Sequence, residues 1–196
     1  MEIHLIRHGR TRANEQKLYC GQADPPLSPN GIAELADLKK LGIYPKRADL
    51  YFTSGFLRAE QTLDLLYGSV HREPLPQLAE FRFGRFEMKS HEELKNQSDY
   101  QAWITDEAGH IPCPGGDSKQ DFTRRVLEGF GLLTDKARLV ESALGIFHGG
   151  VIACIMDHLL PNICNYYEWL PDSGRGYTLV YAPGGLQYKT ILRKSV

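Results

Sequence analysis

The sequence has few cysteines, little net charge and no long hydrophobic run, and each of these features excludes a class of function. None of its four cysteines belongs to a Cys-x-x-Cys pair, which argues against a zinc site or a dithiol redox centre. The formal net charge is -1, which does not favour a nucleic-acid-binding protein or a polybasic membrane patch. No apolar stretch approaches the roughly 18 residues of a membrane span. We therefore expect that the protein neither binds nucleic acid nor associates with a membrane.

Length and composition are those of a compact globular domain. The chain has 196 residues, of which 42% are hydrophobic and 24% charged, so it can bury a sizeable core. We predict a single domain over residues 1–196. The N-terminus begins with a strand pattern and lacks the basic and apolar segments of a signal peptide, so a cytoplasmic location is expected. In that compartment Cys20, Cys113, Cys154 and Cys164 are expected to be free thiols.

Short apolar runs alternate with helical patterns along the chain. Strands are predicted over residues 2–6, 49–53 and 144–147, within 75–86, and in a terminal hairpin of 177–181 with 186–192. Helices are predicted to begin after Ser28, near Phe56, after Ser118 and near Val151, with one or two more over 91–108. This alternation predicts an α/β fold, a three-layer sandwich with a mainly parallel sheet flanked by helices.

Two of the predicted strands end in a histidine followed by glycine. Arg7-His8-Gly9 follows the first strand, and His148-Gly149-Gly150 follows the run 143–147. In open α/β sheets, the chemistry lies at the carboxyl ends of the strands. An imidazole there can act as a nucleophile, and an adjacent guanidinium can hold a phosphate by two parallel hydrogen bonds.

Further candidate groups follow other predicted strands. Ser54 and Arg58 come after the second strand, with Arg58 in the first turn of a helix, where anions are favoured. The predicted loop after that helix carries two carboxylates, Glu80 and Glu87. Two arginines, two histidines and one acid at a shared sheet edge predict a phosphate site with a nucleophile and a proton donor. Because guanidinium and imidazole groups supply the positive charge, no metal and no other cofactor is predicted.

Several segments together carry a specific resemblance. They are Leu5-Ile6-Arg7-His8-Gly9-Arg10-Thr11 with Asn14, Gly21-Gln22-Ala23-Asp24 with Ser28 and Gly31, Ser54 with Arg58-Ala59, Leu78-Ala79-Glu80 through Glu87, Pro114-Gly115-Gly116-Asp117-Ser118, and Phe147-His148-Gly149-Gly150. Over nearly its whole length the chain thereby resembles the histidine phosphatase superfamily, whose fold is phosphoglycerate mutase-like. Arg10, the flanks of Glu87 and the segment 172–175 depart from the family pattern.

The resemblance implies a mechanism and a set of site residues. His8 would be the phosphorylated nucleophile and Glu80, in preference to Glu87, the proton donor. The phosphoryl group would be bound by Arg7, Arg58 and His148, with substrate contacts from Asn14, Cys20, Gly21 and Gly149.

Within the family, the sequence favours a phosphatase that hydrolyses a small phosphate ester. Its acid-bearing segment and the Pro-Gly-Gly-Asp-Ser element resemble those of α-ribazole-5′-phosphate phosphatases. One alternative is a phosphoglycerate mutase, but the chain is short and lacks paired substrate-binding arginines; Arg124-Arg125 lies in a predicted helix and is a poor substitute. The other alternative is a non-catalytic regulator that binds a phospholigand. The sequence leaves the oligomeric state open.

Overall fold

The computed structural model describes residues 1–191, and its centre is a six-stranded sheet. The strands are β1 (Glu2–Arg7), β2 (Leu50–Thr53), β3 (Glu73–Pro74), β4 (Ser142–Phe147), β5 (Gly176–Ala182) and β6 (Gly185–Ile191). They lie in the order β3-β2-β4-β1-β5-β6. The first four form parallel pairs, whereas β5 and β6 add an antiparallel hairpin at one edge. The predicted α/β class is confirmed, with a mixed sheet; Leu192, the predicted end of the hairpin, lies outside the described residues.

The helices of the described residues lie between and beside these strands. They are α1 (Arg12–Glu15), α2 (Pro29–Lys40), α3 (Leu57–Tyr67), α4 (His91–Leu94), α5 (Ser98–Thr105), α6 (Lys119–Ala137) and α7 (Gly149–Leu159). None of the helices within residues 1–191 is both long and apolar enough to cross a membrane.

Side-chain caps start the helices where the sequence predicts them. Ser28 Oγ accepts a hydrogen bond from Gly31 N at 3.0 Å, with Pro29 in the first helical position. Ser118 Oγ accepts from the backbone N–H of Asp121 at 3.0 Å, which satisfies one of the free donors at the start of α6. Both predicted helix starts are confirmed.

The prediction of a strand within residues 75–86 is wrong. The strand is the two-residue β3, and single 3₁₀ turns at Pro76–Leu78 and Gly84–Phe86 follow it. Proline has no N–H to donate to a strand ladder, so Pro76 prevents the strand from continuing. The segment that carries Glu80 is therefore irregular backbone.

Helices cover both faces of the sheet. Alternate residues of β1 point to opposite faces: Ile3 and Leu5 belong to the core under α6 and α7, and Ile6 belongs to the core under α2 and α3. The core under α6 and α7 contains buried aliphatic and aromatic side chains, and the buried residues of the core under α2 and α3 are aliphatic. The three layers leave one edge open, where β1, β2 and β4 end and the candidate residues follow.

Candidate active site

The structure brings the four predicted phosphate-site residues together at this edge of the sheet. Arg7 and His8 end β1, His148 follows β4, and Arg58 lies in the first turn of α3. The rings of His8 and His148 are 5.1 Å apart between centroids and meet at 66°. Arg58 and His148 are 1% and 0% exposed, so the site is built on buried side chains.

The hydrogen bond of the His8 ring defines its tautomer. Nδ1 lies 2.7 Å from the carbonyl oxygen of Gly9, and since a carbonyl only accepts, Nδ1 carries the proton and donates it. Burial, followed by the Arg58 and Arg7 guanidiniums, lowers the pKa of His8 well below its ordinary value. The ring is therefore neutral near pH 7, and its lone pair lies on Nε2.

Arg58 is held by the backbone of the loop 20–24. Its Nη2 donates to the carbonyl of Gly21 at 2.9 Å, and its Nη1 donates to the carbonyl of Ala23 at 2.8 Å and to Asp24 Oδ1 at 3.3 Å. The guanidinium also lies 4.5 Å from the centre of the Phe56 ring. These contacts hold the planar group in one orientation beside His8.

Arg7 is positioned by a segment for which the sequence offered no role. Its Nη1 donates to the carbonyl of Pro171 at 2.8 Å, and its backbone N–H donates to the carbonyl of Arg175 at 2.8 Å. The N–H of Gly174 returns a bond to the Arg7 carbonyl at 3.0 Å. The segment 171–175 thus encloses Arg7 and sets the direction of its guanidinium.

His148 is paired with Ser54, the residue that follows β2. Its Nε2 lies 2.8 Å from Ser54 Oγ. Burial, followed by the charge of the Arg58 guanidinium, lowers the pKa of His148 well below its ordinary value, so this ring is also neutral. Among the described residues, His148 Nδ1 and the Nε atoms of Arg7 and Arg58 are buried without a hydrogen-bond partner. These nitrogens have the chemistry to bind the oxygens of a phosphoryl group.

The two candidate carboxylates have different surroundings. Glu80 lines the cavity that also contains His8 and Arg7, and its oxygens accept from the N–H groups of Phe81 at 3.0 Å and Gly150 at 3.1 Å. A Cβ on Gly150 would lie 2.5 Å from Glu80 Oε1, so a larger residue there would displace the Glu80 carboxyl.

Glu87 instead forms part of the framework of the loop 20–24. Its carboxylate accepts from the backbone N–H groups of Gly21 at 3.0 Å, Gln22 at 2.9 Å, Ala23 at 3.4 Å and Phe83 at 3.1 Å. It does not line the cavity around His8. The geometry therefore favours Glu80 as the group that reaches a substrate.

The structure separates the predicted substrate contacts into two groups. Asn14, Cys20 and Gly149 line the cavity beside His8, and burial raises the pKa of the Cys20 thiol, which stays protonated. Gly21 does not line it, because its backbone lies behind Arg58 and bonds to Arg58 and Glu87. A Cβ on Gly21 would lie 1.7 Å from the carbonyl oxygen of Phe81, so this position supports the site rather than facing it.

The cavity beside His8 is large, and seven aromatic rings form part of its wall beside charged groups such as Glu107, Lys119 and Asp157. Its volume is about 780 Å³, within the range of about 300–1,000 Å³ that small-molecule sites occupy. The rings in its wall are those of Tyr19, Phe81, Phe83, Trp103, Phe122, Tyr166 and Tyr167. Sequence reasoning missed this wall, because the rings come from separate segments with no common spacing. Within residues 1–191 no group of three or more metal-ligating side chains comes together.

Comparison with known proteins agrees with this geometry. The model of the histidine phosphatase superfamily (branch 1) matches residues 3–191. An adenosylcobalamin/alpha-ribazole phosphatase of Salmonella typhimurium is 35% identical over 164 residues, which cover 82% of this chain and 80% of that protein. A 2,3-bisphosphoglycerate-dependent phosphoglycerate mutase of Nitrobacter winogradskyi is 32% identical, but over 64% of each chain. The crystal structure of a putative alpha-ribazole-5′-P phosphatase from Escherichia coli superimposes with a TM-score of 0.86 at 26% identity, covering 100% of this chain and 98% of that one.

Proposed function

This chain belongs to the histidine phosphatase superfamily, and we propose that it is a phosphomonoesterase that hydrolyses a small phosphorylated metabolite. In this proposal His8 is the covalently phosphorylated nucleophile and Glu80 is the proton donor. The observation that carries it is the buried, neutral His8 ring, whose Nδ1–H is bound to the Gly9 carbonyl and whose Nε2 is left for attack beside two guanidiniums.

The first step transfers the phosphoryl group to His8. Arg7, Arg58 and His148 bind the phosphoryl oxygens and neutralise their charge, while Nε2 of His8 attacks phosphorus in line with the leaving group. The Nε2–P bond forms as the P–O bond of the ester breaks, and Glu80 gives its proton to the departing oxygen. The Gly9 carbonyl, 2.7 Å from Nδ1, stabilises the positive charge that the ring then carries.

The second step returns the enzyme to its starting state. The Glu80 carboxylate, now without its proton, takes one from a water molecule as that water attacks phosphorus. The Nε2–P bond breaks, inorganic phosphate is released, and His8 is neutral again. Division into two transfers suits this reaction, since hydrolysis of phosphate monoesters is among the slowest of uncatalysed reactions.

The aromatic rings of the cavity favour a substrate whose leaving group carries a planar, apolar ring system. We propose α-ribazole 5′-phosphate, a benzimidazole riboside, as the candidate substrate, since its base can stack against rings such as Trp103, Tyr166 and Phe122. The phosphatases named for this substrate are 32–35% identical to the chain, which supports the choice.

The positions of Arg124 and Arg125 argue against the mutase alternative. Arg124 is 69% exposed and pairs with Asp121 on its own helix, and Arg125 is bonded to backbone carbonyls. Neither lines the cavity around His8. The paired arginines that would bind a second anionic group of a phosphoglycerate are therefore not supplied by these residues.

A phosphorylation assay tests the proposal. Brief reaction with labelled p-nitrophenyl phosphate, quenched without acid, should give an acid-labile, alkali-stable phosphoprotein that is absent in His8→Ala. Label that persists in His8→Ala would overturn the assignment of the nucleophile. Binding of a phosphate ester without label or turnover would instead identify a non-catalytic regulator.

A substrate panel then separates the two enzymatic candidates. Alpha-ribazole 5′-phosphate and simple aryl phosphates should be hydrolysed to inorganic phosphate, whereas 3-phosphoglycerate should give neither 2-phosphoglycerate nor rapid phosphate release. Interconversion of the phosphoglycerates would favour the mutase.

A further inference from the structure

We infer that Arg125, anchored by Asp117, is the positioning residue for the general acid: it holds the backbone that carries Glu80 in the orientation that proton donation needs. The inference rests on the proposed function, because it concerns the proton that Glu80 gives to the leaving group. Arg125 does not line the cavity around His8, and it acts through Glu80.

Arg125 bonds to three carbonyls of the segment that carries the acid. Its Nη1 donates to the carbonyls of Gln77 at 2.9 Å and Ala79 at 2.7 Å, and its Nη2 donates to the carbonyl of Glu80 itself at 3.2 Å. This segment follows the two-residue strand β3 and belongs to no strand of the sheet. The guanidinium therefore supplies the donors that a neighbouring strand would otherwise supply.

Asp117 holds the guanidinium in turn. It is 1% exposed, and its Oδ2 accepts from Arg125 Nη2 at 3.0 Å and from the backbone N–H of Arg82 at 3.2 Å. Its Oδ1 accepts from Arg82 Nε at 2.6 Å. Burial would raise the pKa of Asp117, but the bonds from Arg82 and Arg125 outweigh it and lower the pKa, so the carboxylate stays charged.

The Glu80 side chain is aimed by the same framework. Its oxygens bond to the N–H groups of Phe81, next in the chain, and of Gly150 at the start of α7. Any shift of residues 77–82 moves the Glu80 carboxyl relative to Gly150 and His8. A misplacement of about 1 Å at a catalytic group can cost about 100-fold in rate. Arg125 therefore acts on the acid through the backbone carbonyls of residues 77–80.

The neighbouring arginine provides a matched control. Arg124 lies on the same helix and has the same charge, but it is exposed and pairs with Asp121 three residues earlier. We propose measuring single-turnover phosphorylation of His8 in Arg125→Gln, Arg125→Lys and Arg124→Gln. Each is tested with an alkyl phosphate, whose alkoxide needs the proton, and with p-nitrophenyl phosphate, whose leaving group departs without it.

The expected result is a loss that depends on the leaving group. In Arg125→Gln, phosphorylation by the alkyl phosphate should fall about 10- to 100-fold, whereas phosphorylation by p-nitrophenyl phosphate should change less than about 3-fold. The substrate concentration that half-saturates phosphorylation should change little for both substrates, because the phosphoryl-binding groups are intact. Arg125→Lys should recover part of the loss, since an ammonium can bond to some of the carbonyls but lacks the planar fork. Arg124→Gln should behave as the wild type.

Asp117→Asn keeps the shape of the anchor and provides a second test if the Arg125 variants do not fold. It should show the same dependence on leaving group, to a smaller extent. Equal losses with both substrates in these variants, accompanied by a lower unfolding midpoint, would overturn the inference and leave a structural role only. No loss with either substrate would overturn it as well. A wild-type protein that forms no phosphohistidine would instead refute the proposed function, which keeps the two failures distinct.

Discussion

Replacement of each candidate carboxylate by its amide provides the sharpest test of the site. Glu80 and Glu87 are seven residues apart, yet only Glu80 lines the cavity with His8. Glu80→Gln removes the proton that we assign to the leaving group and keeps the shape of the side chain. Glu87→Gln changes the acceptor of backbone N–H groups from the loop 20–24. The two variants should therefore fail in different ways.

The magnitudes follow from the two environments. General acid catalysis supplies roughly 10²–10⁴-fold, or about 2.7–5.4 kcal/mol at about 1.36 kcal/mol per factor of ten. Glu80→Gln should lose this factor with an alkyl phosphate and little of it when p-nitrophenyl phosphate phosphorylates His8. Glu87→Gln puts an amide donor against backbone donors, and the unmatched bonds should cost about 1–3 kcal/mol of folding stability. Because the loop 20–24 also holds Arg58, Glu87→Gln should lower the rate by the same factor for both substrates.

Rapid-quench kinetics with both substrates, together with urea unfolding of both variants, measures these quantities. In Glu80→Gln the phosphoenzyme should also accumulate with the aryl substrate, because no carboxylate remains to activate water. The reasoning is refuted if Glu87→Gln shows the loss that depends on the leaving group and Glu80→Gln does not. Equal losses from both variants with both substrates would refute the assignment of a proton donor to either.

Three further predictions follow from the buried histidines and arginines of the site. The pKa values of His8 and His148 are lowered in the folded chain, so below about pH 6.5 the unfolded chain takes up protons that the folded chain does not. The free energy of unfolding should therefore fall from pH 7 to pH 5. Urea titrations should show a smaller fall in His148→Asn. Arg58→Lys should lower kcat/KM for p-nitrophenyl phosphate about 100-fold or more, because an ammonium cannot hold the Gly21 and Ala23 carbonyls and a phosphoryl oxygen together; an unchanged value would contradict this. Turnover should persist in EDTA, since guanidinium groups supply the positive charge; loss of turnover that Mg²⁺ or Zn²⁺ restores would contradict this.

Much of the fold could be predicted because its signals are local. The cap at Ser28 and the strands before His8 and His148 depend on neighbours a few residues away, and the structure confirms them. The failure between residues 75 and 86 is of the same local kind, since Pro76 lacks the N–H that a longer strand would need. The resemblance to the histidine phosphatase superfamily, confirmed by the family match, then connected segments that periodicity alone left separate.

Three features of the site could not be predicted from local sequence patterns or from the resemblance. Arg125 lies three residues after Phe122 and four before Gly129, on the buried face of α6. A cation on a buried helix face needs a partner in the interior, and this was the one indication that the sequence gave for Arg125. The aromatic wall of the cavity and the enclosure of Arg7 by residues 171–175 had no hint at all.

By itself the sequence determined the chemistry: an arginine and a histidine at the end of one strand, a histidine at the end of another, and an arginine in the first turn of a helix. Parallel strands bring such ends to one edge of a sheet, so these residues meet for reasons of local structure and topology. The resemblance already favoured Glu80 over Glu87, but only the tertiary structure showed that Glu80 lines the cavity with His8, what holds Arg58, and that Arg125 holds the backbone of the segment that carries Glu80. The physical reason is that hydrogen-bond partners of buried groups are selected by packing. Arg7 bonds to a carbonyl 164 residues away and Arg125 to one 45 residues away, separations at which no sequence spacing specifies the pair.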